Sequence, residues 1–523
     1  MARPVVAIGL DAADPALVTE WADAGHLPNL ARLRAAGAWG EVRNVDRYRA
    51  ETPWTSFMTG VYPDRTGYWG RIVFDPARYE VSEIGAYAFD EFPAFYGVGD
   101  DYRVCVFDVP QARLSERVNG LQALAWGAHS PRGPTQSRPA RLVKDLLAQY
   151  GAHPALNNDT PNGYDRLGRA RLIEDFEIGL ARRTAICRDL LRRGPWDLFL
   201  TVVAETHSGG HALWHTSRPH PLDRLTNRGN GGTLLDIYRA VDRSLGEILA
   251  AAPEDAVIVV FSVHGMVANV LDVGSMMALA ELMYRWNFPG TAALAPGDGG
   301  TPPDPTFDHL EHWSTELWRR RDETGARDLE SPDEQAEAGL SLAWQPANWY
   351  RPCWPRMRAF AVPSYSDGYV RVNLAGRERD GIVATADYAA TLDAVEAELK
   401  ALRCGRSGAP LVRRVIRTRT GGADPDPRRP YADLVVRWNE SAVTDTFDHP
   451  DHGRIGPVPY FRTGGHRSRG LALVAGPGIP AGAALPTAEA TALAPTILSL
   501  MGAPVPDYMD SGPLPAALAV GTA

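Results

Sequence analysis

Four runs of the chain are apolar at nearly every position instead of alternating: residues 5–10 (VVAIGL), 198–203 (LFLTVV), 256–261 (AVIVVF) and 471–475 (LALVA). Strands covered by helices on both faces read this way, so these runs predict the buried strands of a parallel sheet. Shorter β-rich runs at 104–109, 369–373 and 434–438 predict further strands. Helical periodicity fills the intervals, at 15–24, from 26 to a close at Gly37, and at 169–191, 233–249, 391–402 and 491–501. Strands alternating with helices predict an α/β fold: a central, mostly parallel sheet flanked by helices, with inserted cap or lid segments.

Two stretches break this rhythm. Residues 70–195 are loop-rich as far as the 169–191 helix, and the prolines of 131–139 predict a surface loop there. Residues 276–365 carry Trp286, Trp313, Trp318, Trp344, Trp349 and Trp354, many prolines and the charged run 319–323. This texture predicts an insertion or lid, whose tryptophans are either the core of a small subdomain or the walls of a pocket. The expected organisation is a first core part at 1–275, the insertion at 276–365, a second core part at 366–513 and a mobile tail at 514–523.

With 523 residues and 45% hydrophobic content, the chain can bury one large core with insertions, or two or three smaller ones. A net charge of −9 and a pI near 5.8 argue against a nucleic-acid or anionic-membrane surface. No apolar run reaches the ~18 residues of a membrane helix, and the first residues lead straight into a strand without a secretory signal. Cys105, Cys187, Cys353 and Cys404 lie far apart with no CxxC pair, which suggests neither a disulfide framework nor a thiolate zinc site. A cytoplasmic address is expected.

Open parallel sheets place ligands at the C-terminal ends of their strands. Asp11 follows the 5–10 run, with an alternative role as helix N-cap for 15–24. His207 and His211 follow 198–203, and a helix there would put both imidazoles on one face, within reach of one cation. Their alternative is plain hydrogen bonding beside Trp214. His264 follows 256–261, and His466 precedes 471–475. Thr52 and Pro53 read as N-cap and first position of another helix. Its N-terminus suits an anionic phosphoryl or sulfuryl group, and Thr52 is either a nucleophile or the cap.

The motifs Gly9-Leu10-Asp11, Leu27-Pro28-Asn29-Leu30, Trp54-Thr55-Ser56-Phe57-Met58-Thr59-Gly60, Ser262-Val263-His264-Gly265, Asn373-Leu374-Ala375-Gly376-Arg377, Gly465-His466-Arg467 and Ala494-Pro495-Thr496-Ile497-Leu498 occur in this order. Together they resemble the alkaline phosphatase superfamily, in its branch of type I phosphodiesterases and nucleotide pyrophosphatases. The resemblance implies two metal ions, zinc by habit of the family, that activate a Thr or Ser nucleophile and hold phosphoryl oxygens. Carried over by position, His207, His211 and His466 match one ligand set, and Asp11, Val263 and His264 match the other. Two carboxylates are thus replaced, by His207 and by Val263. The family's nucleophile position falls on Ala50 in the ungapped register, with Glu51 as a replacement carboxylate ligand, or on Thr52 after a two-residue deletion.

Exchanging two carboxylates for imidazole and an alkyl group leaves the site two charges more positive. Imidazole-rich sets also suit iron, copper or cobalt as well as zinc, so one or two divalent transition metals are expected, zinc by the resemblance, with iron, manganese, cobalt or copper as alternatives. The first functional expectation is a metal-dependent enzyme acting on a phosphate, phosphonate or sulfate ester of a small metabolite. The alternatives are a repurposed centre doing non-hydrolytic chemistry, such as oxidation, elimination or C–X cleavage, and an inert metal-binding protein.

Overall fold

The computed structural model describes residues 3–44, 52–127, 133–155, 166–218, 220, 231–269, 271–294, 313–321, 324–419, 421, 426–458 and 462–515. The expected tail therefore lies largely outside the described residues. The main sheet runs in the hydrogen-bonded order Ala483–Ala484, Gly37–Arg43, Arg469–Ala475, Val257–Ser262, Val5–Leu10, Leu198–Val203, Gly99–Phe107, Val118–Leu124 and Gln136–Arg138, with Ala488–Glu489 also pairing with Gly37–Arg43. Val5–Leu10 sits at its centre, parallel to Leu198–Val203 on one side and to Val257–Ser262 on the other.

Both faces of this strand are covered, which is why its sequence does not alternate. Val6, Ile8 and Leu10 join a core with Phe176, Leu180, Ile237 and Val241, from the helices Arg166–Arg192 and Leu234–Leu249. Val5 and Ala7 face the opposite core, with Phe57, Leu493 and Ile497 from Pro53–Thr59 and Leu493–Met501. The mostly parallel α/β architecture read from the sequence is the observed one.

Local departures have local causes. The strand expected at 104–109 is Gly99–Phe107, because Asp108 turns to a positive φ of 60° and ends it. The loop expected at 131–139 contains the short strand Gln136–Arg138, which pairs with Val118–Leu124 and extends the sheet edge. The last helix opens with the 3-10 turn Ala490–Ala492.

A second, antiparallel sheet takes the order Ala359–Val362, Gly368–Val372, Leu434–Trp438, Val412–Arg417. Trp349 and Trp354 are fully buried beside it, and Trp354 stacks on Phe360 at 4.9 Å, so these two tryptophans are core. Among the described residues no helix is long and apolar enough to cross a membrane. All four cysteines are free thiols and buried.

Candidate metal centre

Three neighbouring strands, Val257–Ser262, Val5–Leu10 and Leu198–Val203, run the same way and end on the same edge of the sheet. Asp11 follows the middle one, His264 follows the first, and the helix Glu205–Leu213 starts directly after the third. His207 and His211 lie one turn apart on that helix, with ring centroids 4.6 Å apart. His466 arrives from the strand Gly464–Arg467, which pairs antiparallel with Gly265–Ala268 and so is tied to the segment that follows His264.

The four imidazoles converge. Ring nitrogens of His207, His264 and His466 all lie within 4.8 Å of one another, and His211 Nε2 is 3.2 Å from His466 Nε2. Two nitrogens on one tetrahedral zinc ion stand about 3.4 Å apart. His211 Nδ1 meets the Gly464 carbonyl at 2.7 Å. That carbonyl only accepts, so Nδ1 carries the proton and Nε2 presents its lone pair to the centre. Burial, reinforced by the fields of His264, His211 and His207, holds His466 well below the usual histidine range, hence neutral. A neutral His466 and a His211 lone pair turned to the centre, beside His207 and His264, fit a transition metal.

Asp11 is fully buried, 3.7 Å from His264 Nε2. Its Oδ1 accepts the Trp54 indole N–H at 3.1 Å, and its backbone carbonyl accepts the Thr206 hydroxyl at 2.6 Å. Gly9 permits this, because a Cβ there would lie 3.0 to 3.2 Å from Val202, Trp54 and Phe261. Asp14, three residues further on, takes the N-cap role, accepting the Ala16 and Leu17 amides. The alternative reading of Asp11 as that cap is thereby excluded.

Thr52 is buried at the start of Pro53–Thr59, but its hydroxyl makes no capping hydrogen bond, with φ −118° and ψ 5°. The cap half of its expectation fails because the side chain is not presented to the helix amides. No described hydrogen bond joins Thr52 to a histidine of the centre. Glu51 lies outside the described residues. Val263 is fully buried in the core that backs the sheet.

Close approach of two backbones brings the late histidine in. A Cβ on Gly464 would stand 2.1 Å from the Gly210 carbonyl and 3.2 Å from Trp214 Cβ. Gly464→Ala is expected to push the strand off the helix, costing about 1–3 kcal/mol as overpacking does. It should weaken metal binding at the same time. Denaturant melts and metal titration check both, and an unaltered titration would show that the approach is not needed.

Below the helix lies a buried charged network that sequence reasoning missed. Arg183, fully buried, donates to Asp108 Oδ2 at 2.8 Å and to the Val202 carbonyl at 2.7 Å, and lies 3.6 Å from Glu205. Glu205 opens the metal-facing helix and accepts from His153 Nε2 at 2.9 Å. Burial alone would raise the Glu205 carboxyl, but Arg183 and His153 bring it down to about 2. Such second-layer groups fix the orientation of ligating side chains. The partners lie far apart in the chain, so no spacing could have announced them.

His215, on the turn Trp214–Thr216 that continues the helix, is also buried. Burial, with the fields of Arg169 and His220, pushes its imidazole down to about 3, and burial pushes His220 down to about 4. Both are neutral in the folded protein while the unfolded chain takes up protons below its ordinary pKa near 6.5. Stability is therefore expected to be intact above about pH 6.5 and to fall as the pH drops towards 4 and then 3. At up to ~1.4 kcal/mol per pH unit per group, the total loss reaches several kcal/mol. Urea melts of metal-free protein across pH 7 to 4 check this, and a flat profile would contradict it.

A second group, Glu398, His449 and His452, also gathers ligand-type atoms. His449 Nδ1 accepts the Asp451 and His452 amides at 3.1 and 3.3 Å. Its proton is thus on Nε2, directed at the Glu398 carbonyl and carboxylate, both 3.2 Å away. With no lone pair turned inward from His449, this cluster is a hydrogen-bonded brace.

The fold and site can be set beside known proteins. No curated protein matches the chain by sequence. Among solved structures, phosphonoacetate hydrolase from Sinorhizobium meliloti 1021, in complex with phosphonoformate, is similar at 15% identity over 96% of each chain, with a TM-score of 0.49. Murine ectonucleotide pyrophosphatase/phosphodiesterase 5, an inactive variant in complex with AMP, is similar at 11% identity over 96% of each chain, with a TM-score of 0.46. Its human counterpart matches at 11% identity, covering 98% of this chain and 97% of the other, with a TM-score of 0.46. The sequence profile of type I phosphodiesterase / nucleotide pyrophosphatase matches residues 5–305, a span that holds Asp11, His207, His211 and His264. The chain belongs to the type I phosphodiesterase / nucleotide pyrophosphatase family, within the alkaline phosphatase superfamily.

Proposed function

We propose that this phosphodiesterase-family enzyme is a metal-dependent hydrolase of a phosphate, phosphonate or sulfate ester of a small metabolite. The observation that carries the reading is the convergence of four imidazoles, three of them following two strands of the main sheet and the fourth delivered by Gly464–Arg467, with the buried Asp11 carboxylate of the strand between beside them. His207, His211, His264 and His466 would hold one transition metal, or two with Asp11. Zinc fits the imidazole set, as do iron, cobalt and copper, whereas manganese would lean on the Asp11 carboxylate. A bound metal supplies a Lewis acid and lowers the pKa of water, which serves hydrolysis without a side-chain nucleophile.

The chain's own residues do the positioning. The Gly464 carbonyl fixes the His211 tautomer, the Trp54 N–H and the Thr206 hydroxyl orient Asp11, and the buried network at Glu205 sets the helix. Thr52 is kept as a candidate nucleophile, since it heads the helix that delivers Trp54.

A second reading, non-hydrolytic metal chemistry, is favoured by His207 and Val263 standing where the family places carboxylates. The experiment that separates the two is a turnover screen of protein loaded in turn with zinc, manganese, iron and cobalt, against model phosphodiesters, monoesters, phosphonates and sulfates. Hydrolysis that is lost in His466→Ala supports the first reading. Full metal loading with no hydrolysis of any class would sink it. A cytoplasmic address and no nucleic-acid or membrane partner complete the proposal.

A further inference from the structure

His466 and Arg467 are consecutive on the strand Gly464–Arg467, so their side chains leave it on opposite faces. His466 turns to the other imidazoles, its Nε2 3.2 Å from that of His211. Arg467 goes the other way and forms an ion pair with Asp14, Nη2 to Oδ2, at 2.7 Å. Asp14 lies three residues after Asp11. The strand that brings in the last histidine is thereby tied, through charge, to the loop that carries the carboxylate of the centre.

Asp14 is a fixed post for that tie. Its Oδ1 accepts the Ala16 and Leu17 amides, both at 3.1 Å, and its own amide donates to the Tyr238 hydroxyl at 3.2 Å. The turn between Asp11 and Asp14 is tight, since Ala12 takes a φ of 54° and the Ala13 amide donates to the Leu10 carbonyl at 3.2 Å. Burial pushes the Asp14 carboxyl up, and the Arg467 guanidinium leads the influences that hold it down.

His264 is held by the same contact. Gly265, the residue after it, lies opposite Arg467 in the antiparallel pairing. A Cβ on Gly265 would stand 2.5 Å from the Arg469 carbonyl and 3.0 Å from Asp14 Oδ2, so the ion pair closes directly over the segment that leaves His264. One charge contact therefore joins the segments of Asp11, His264 and His466. Ligands that arrive from separate parts of a chain bind a metal tightly only if they are placed beforehand, because otherwise binding must also order them. We propose that Arg467 is a positioning residue of the centre: paired with Asp14, it sets His466 against Asp11 and His264 and so sets the affinity for metal. This rests on the reading of the four histidines as a metal site.

The test is competitive zinc titration of the full-length protein, with the visible absorption of the cobalt-loaded protein as a second reading of ligand geometry. Arg467→Met should bind zinc at least ~10-fold more weakly and alter the cobalt bands, as loss of a group that orients ligands does. Arg467→Lys restores a point charge and should return to within about threefold of wild type. Asp14→Asn keeps the fold testable, because asparagine caps a helix as well as aspartate does. Without metal it should melt in urea close to wild type, yet lose zinc affinity as Arg467→Met does. The double variant should be no weaker than Arg467→Met alone, since both changes remove one pair. Unchanged zinc affinity and cobalt bands in Asp14→Asn, or a lysine variant no better than the methionine one, overturns the inference and leaves the metal centre standing. If the wild type binds neither zinc nor cobalt, both fall.

Discussion

Alanine at His211 or at His466 is expected to strip the protein of metal. Wild type, dialysed after loading, should retain about one equivalent or more of zinc per chain, and either variant a tenth of that or less. The two positions are chosen because their Nε2 atoms face each other at 3.2 Å and because each is held by a different part of the chain. His211 is fixed through its Nδ1 to the Gly464 carbonyl, and His466 sits in the strand paired with Gly265–Ala268. His452→Ala is the control. It breaks the Glu398 brace and should leave the metal content of the centre unchanged. If His211→Ala and His466→Ala, both folded by circular dichroism, keep full stoichiometry, the four-histidine centre is not the metal site.

The strands that build this centre were legible because burial on both faces erases alternation, and Val5–Leu10, Leu198–Val203 and Val257–Ser262 fall within a residue of their expected places. Histidines placed just after such strands, or just before the last one, follow from the same logic, since parallel strands share one C-terminal edge. Other features escaped for a physical reason. Whether Thr52 caps its helix depends on where its hydroxyl points, and a residue type favoured at caps says nothing about that. Asp14 was passed over for Asp11 because both stand near the helix start, and only geometry shows Asp14 accepting two amides. The Asp108, His153, Arg183 and Glu205 network is assembled from four separate elements. Its members are polar and charged side chains in an interior, where periodicity predicts none.

That network makes Arg183→Met the substitution with the largest expected cost in stability. The guanidinium is fully buried against the Phe107 and Trp126 rings, 5.7 and 5.3 Å from their centroids, and it offsets two carboxylates at once. Methionine restores much of the volume but leaves Asp108 and Glu205 as uncompensated buried anions and the Val202 carbonyl without its donor. Removing one partner of such a cluster typically costs about 3–5 kcal/mol. The damage should be uneven. Asp108 keeps the Trp126 and Gly127 amides at 2.7 and 2.9 Å, whereas Glu205 keeps only His153 as its side-chain partner in the network. Glu205 is the first residue of the helix that carries His207 and His211, so its reorganisation should tilt both ligands and lower metal affinity as well as stability. The double variant Arg183→Met with Glu205→Gln removes the stranded charge while keeping a side-chain acceptor for His153, and it should recover part of both losses. Urea melts of metal-free protein and competitive zinc titration read the two effects separately. A loss below about 1 kcal/mol in Arg183→Met would mean that water reaches these carboxylates. Unchanged zinc affinity in a clearly destabilised variant would mean that the helix is set by its packing against Leu234–Leu249 and not by the charges beneath it.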